Sequence, residues 1–91
     1  MQDSGILELF FARSEQALTE LQKKYGRLCM QIAVNILANM EDAEEIVNAS
    51  YMNVWNAIPP ARPQSLCGYV CAAVRNAALN AAARAKRHSC D

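Results

Sequence analysis

Apolar side chains recur along this chain at intervals of three and four, the period of a single helix face, in four separated stretches. The first covers residues 4–12, where Ile6, Leu7, Leu9, Phe10 and Phe11 make a dense apolar patch and Ser4 is placed to cap the start. The second covers residues 15–38, with Leu18, Leu21, Tyr25, Leu28, Cys29, Ile32, Ile36 and Leu37 on one stripe. Ser14 is its expected N-cap, Glu15 falls in the first turn where the helix dipole favours an acid, and Asn39 suits a stop. Gly26 lies inside this stretch at a cost of up to ~1 kcal/mol relative to Ala, which points to a close helix contact or a mild bend.

The third stretch covers residues 42–57. Ala43, Ile46, Val47, Ser50, Tyr51, Val54, Trp55 and Ile58 fall on its inward stripe, while Glu44, Glu45, Asn48, Ala49, Met52, Asn53 and Asn56 fall outside it. Asp42 and Glu45 have the spacing of a capping box. Pro59 and Pro60 end the helix, because proline lacks a backbone donor and restricts the residue before it. A stiff loop with three prolines follows, and Ser65 is placed to cap a fourth helix over residues 66–86. Leu66, Tyr69, Val70, Ala73, Val74 and Ala77 supply its apolar side; beyond Ala77 the side chains are too small to anchor much core.

These patterns predict an all-α fold: a compact bundle of three to four helices with a long C-terminal helix, forming one domain over residues 1–91. Apolar residues make up 53% of the chain, so a packed core needs no staples. No apolar run approaches the ~20 residues that span a bilayer, and no basic stretch leads into a hydrophobic segment after Met1, so a cytoplasmic protein is expected.

Net charge is zero, yet it is unevenly placed. Residues 1–58 hold four cations against eight acids, and residues 59–91 hold five cations against one acid, so the halves carry minus four and plus four. Opposite fields suggest two different partners, and the basic end suits a phosphate backbone. Catalysis is not expected. The single histidine, His88, has no acid or nucleophile partner in the pattern, and there is no glycine-rich phosphate loop. Cys67 and Cys71 share a helix face without zinc-ribbon spacing, and they reach a metal with His88 and Cys90 only if the chain folds back on itself. Small-residue helix packing accounts for the cysteines better, and no cofactor or metal is expected.

The residues then reach a known family. Asp42-Ala43-Glu44-Glu45-Ile46-Val47, followed by Tyr51 and Trp55, resembles the D-A-E-D-hydrophobic-hydrophobic-Q-E-x-F-x-x-x-W signature of bacterial RNA polymerase sigma factors. The match is to the second conserved region of the extracytoplasmic-function class. Gly68-Tyr69-Val70 through Val74-Arg75-Asn76-Ala77-Ala78-Leu79-Asn80 resembles that region's W-L-x-x-I-A-x-N-x-x-x-D stretch, and the resemblance spans residues 15–87. The chain departs from the pattern at Asn48-Ala49, in place of Gln-Glu, and at Ala72, Asn80 and Ala83. Those changes predict weaker DNA contacts, or contacts shifted towards the tail. The family's helix-turn-helix domain has no counterpart in these residues.

The resemblance implies a role in starting transcription. Asp42, Glu45, Asn48, Ala49, Met52 and Asn53 would face the clamp helices of RNA polymerase. Arg62, Pro63, Gln64 and Ser65 would form a loop that selects a flipped base of the promoter minus-ten element. Arg75, Asn76, Asn80 and Arg84 would lie along the non-template strand; Tyr69 lies nearby, on a face read as core. An inhibitory anti-sigma factor is a further partner implied. The alternative is a helical protein-interaction or regulatory domain that uses the third helix and never touches DNA.

Overall fold

The four periodic stretches are four α-helices. A computed structural model describes residues 1–89, with side chains described through Ala85. Helix α1 spans Asp3–Phe11, α2 Gln16–Leu37, α3 Met40–Ala57 and α4 Leu66–Ser89. Helices α2, α3 and α4 pack against one another, and α1 lies across α2 and α4. No strand occurs among the described residues, and none of their helices is long and apolar enough to cross a membrane.

The core forms where the four stripes converge. Ile6 and Phe10 of α1, Leu21, Cys29 and Ala33 of α2, Val47, Tyr51 and Val54 of α3, and Val70, Val74 and Ala78 of α4 are all buried. Each large apolar side chain removed from water contributes roughly 1.5–3 kcal/mol before entropy is counted. Leu28, read onto the α2 stripe, instead remains 39% exposed at its edge. Asp3 ties α1 to α2: its carboxylate accepts from Lys24 Nζ at 2.7 Å and from the Tyr25 hydroxyl at 2.7 Å.

The helix ends correct several expectations. Ser4 lies inside α1, whose flanking residue is Gln2, and Ser14 gives way to Glu15 at the start of α2; neither helix has a side-chain cap. Asn39 does not stop α2. The left-handed residue after α2 is Ala38, with φ 57°, and its N–H returns to the Val34 carbonyl at 2.7 Å. Asn39 opens α3 instead, its side-chain oxygen accepting from the Asp42 N–H at 3.0 Å, so the capping box expected at Asp42 and Glu45 does not form. With only two residues between α2 and α3, one Asn serves the helix ahead of it. Gly26 faces α3: a Cβ there would meet the Tyr51 hydroxyl at 3.6 Å, ordinary contact rather than collision.

Candidate functional site

The outer side of α3 is fixed by its inner side. Ala43, Val47, Ser50, Tyr51 and Val54 turn inward. The buried Ser50 hydroxyl among them donates to the Ile46 carbonyl at 2.8 Å and so is not left unpaired. Burial, with the Cys29 thiol adjacent, pushes the Tyr51 phenol up to about 12, so this ring stays neutral at any ordinary pH. With that stripe committed, Asp42, Glu45, Asn48, Ala49, Met52 and Asn53 all project to solvent. Met52 is 50% exposed, an apolar centre in a rim of amides and carboxylates. Among the described residues, no ion pair involves the acids of α3.

The loop after α3 leads into a capped helix. Ser65 Oγ accepts from the Gly68 N–H at 3.0 Å, as the sequence predicts. Arg62, Gln64 and Ser65 are exposed and Pro63 is half-buried. The Arg62 guanidinium stacks over the Phe11 ring at 4.3 Å, so α1 supports this side of the loop.

Leu66, Val70, Val74 and Ala78 take the inner face of α4, leaving Arg75, Asn76, Asn80 and Arg84 exposed. These four do not form a single row. At about 100° per residue, Arg75 and Arg84 point roughly half a turn apart. Asn76 and Arg84 line grooves shared with α3, whereas Arg75 lines neither. Asn76 meets Asn53 and the half-buried Tyr69 in a groove of about 340 Å³. Tyr69 packs against the core and at the same time lines this seam. Further along, Arg84 shares a groove of about 430 Å³ with Asp42 and Glu45. The two surfaces read separately from the sequence thus meet along one seam.

The largest omission from the sequence reading is Arg13. Its Nη1 donates to the carbonyls of Trp55 and Ile58, each at 2.7 Å, and its guanidinium lies 3.8 Å from the Trp55 ring centre. Nothing periodic links residue 13 to residue 55. The demand was visible, however: Pro59 cannot donate to the Trp55 carbonyl four residues back. The cysteines do less. Cys67 and Cys71 approach to 4.0 Å between sulfurs, and burial pushes the Cys71 thiol up to about 11, so it is an unreactive thiol at neutral pH. No cluster that would hold a metal exists among the described residues; Cys90, and the side chains of Lys86, Arg87 and His88, lie outside them.

A family model described as Sigma-70 region 2 matches residues 21–88. The chain belongs to the sigma-70 region 2 family. Comparison with curated proteins and with solved structures gives no match. This region 2 domain is accordingly a transcription-initiation module of the kind that binds RNA polymerase and recognises promoter DNA, not a member of an enzyme family. The matched span starts inside α2, so α1 and Arg13 lie outside it.

Proposed function

We propose that this region 2 domain is of the extracytoplasmic-function class and that it melts and reads the minus-ten element while docked on the clamp helices of RNA polymerase. In this reading Asp42, Glu45, Asn48, Ala49, Met52 and Asn53 contact the polymerase. Arg62, Pro63, Gln64 and Ser65 receive a flipped non-template base, and Arg75, Asn76, Asn80 and Arg84 follow the strand. The observation that carries it is the joint exposure of these groups, with Asn53 and Asp42 on one side of the α3–α4 seam and Asn76 and Arg84 on the other. A partner on α3 and a strand on α4 would then lie side by side. Arginine neutralises phosphates, asparagine reaches base edges, and a loop held by three prolines makes a costly-to-deform pocket. An anti-sigma factor would compete for the same α3 surface.

Two measurements test this. In a pull-down on the polymerase clamp helices, Asn48→Arg and Met52→Arg are each expected to abolish capture while the circular dichroism spectrum is unchanged. Undiminished capture by both variants would remove the α3 assignment. In fluorescence titrations with single-stranded minus-ten oligonucleotides, Arg75→Glu and Arg84→Glu are expected to weaken binding and flatten its salt dependence. Retained clamp binding with no DNA affinity at all would favour the protein-interaction domain instead.

A further inference from the structure

The corner between α1 and α2 is built around one residue in an unfavourable backbone state. Helix α1 ends with the Ser14 N–H on the Leu9 carbonyl at 2.9 Å and the Arg13 N–H on the Phe10 carbonyl at 3.0 Å. That is the paired-hydrogen-bond stop whose left-handed residue is usually glycine. Here it is Arg13, at φ 56°. An L side chain in that region is disfavoured, and such an outlier points to a role for the side chain itself.

The side chain has a specific task at the far end of α3. Trp55 would normally give its carbonyl to the N–H four residues on, but that residue is Pro59. Arg13 supplies the missing donor, takes the Ile58 carbonyl with the same nitrogen, and sits over the Trp55 ring. A cation at a helix C-terminus also answers the negative end of the dipole. Beside it, Phe11 carries Arg62 of the loop. The two ends of the link, residues 55–58 and residue 62, are therefore both held by the α1–α2 corner.

We propose that Arg13 is a positioning residue for the loop of residues 59–65: it replaces the donor that Pro59 lacks and so sets how sharply that loop discriminates between bases. The inference rests on the reading in which Arg62, Pro63, Gln64 and Ser65 face a flipped base. It adds a determinant that touches neither DNA nor polymerase. Arg13→Gly is the informative change, because glycine suits the left-handed position and preserves the α1 stop while deleting the brace.

The test uses holoenzyme assembled from this chain and bacterial core polymerase. Affinities are measured for four single-stranded minus-ten oligonucleotides that differ only at the position the wild type discriminates best. Arg13→Gly is expected to lower the best-to-worst affinity ratio about tenfold, the scale of one charge-assisted hydrogen bond. Affinity for core polymerase should stay within about twofold, since the outer side of α3 is untouched. An unchanged ratio overturns the proposal, and so does a proportionate loss of core binding and of every oligonucleotide, which would mean a merely structural role. If Arg13→Gly does not fold, Arg13→Met carries the test: it keeps an apolar stem against the Trp55 ring but has no donor, a lowered ratio is expected, and a wild-type ratio overturns the proposal. A wild type that discriminates nowhere defeats the functional reading, and this inference with it.

Discussion

Single residues decide the corners of this molecule. Among the described residues, Ala38 and Arg13 are the non-glycine residues in left-handed positions, and of these Arg13 has a side chain that uses the position. Ala38→Gly is therefore expected to raise stability by about 1 kcal/mol, seen as an increase of several degrees in the thermal midpoint, with helix content unchanged. A lower midpoint would mean that left-handed backbone is not strained there. Asp3 makes a pH prediction. Lys24, and then Tyr25, hold its carboxyl below the ordinary 3.8 by hydrogen bonding to the charged form. A lowered value stabilises above the unfolded pKa and is lost as pH falls through 3.8 and beyond. Wild type should thus exceed Asp3→Asn in thermal midpoint at pH 6, and the gap should shrink as pH falls below 3.8. The pair is more than a third exposed, so the gap should be small and salt-sensitive.

At the scale of elements, most of what matters was legible in the chain. The period of apolar residues placed all four helices, because an amphipathic stripe is a local signal that packing only reinforces. Ser65 was read correctly as a cap since its polar neighbour Gln64 is not a favoured cap and serine is. The caps at Ser4, Ser14 and Asp42 were misread for the opposite reason: each has a competing neighbour one to three residues away, and boundaries shift by a residue or two without cost. The outward groups of α3 followed directly from its inward stripe. The split between Arg75 and Arg84 needed the register of α4 against α3, which no spacing alone reveals. Ser65→Ala should cost ~1 kcal/mol, measured by urea unfolding. Leu21→Ala, which empties a fully buried site on α2, should cost ~2–5 kcal/mol on the same scale. A smaller loss for Leu21 would mean that the α2 groove collapses to fill the space.

For the whole molecule, the uneven charge of the sequence becomes a spatial arrangement. The acids of α3 and the cation Arg84 face each other across a groove without pairing, so neither surface neutralises the other. Long-range contacts escape sequence reading for a simple reason. The Arg13 bonds span more than forty residues, and their necessity shows only as a carbonyl that Pro59 strands. Helix α4 shows a related division along its length. Its first half is held by Val70, Val74 and Ala78 in the core; from Ala81 onward alanine offers little to bury, and Ala83, Arg84 and Ala85 are exposed. Apart from the half-buried Ala81 and Ala82, little but backbone hydrogen bonds keeps residues 81–85 wound, and weakly packed helix is marginal in water. Amide protons of Val70 and Val74 should then trade with deuterium only when the entire bundle opens. Those of residues 81–85 should trade orders of magnitude faster, each turn unzipping by itself.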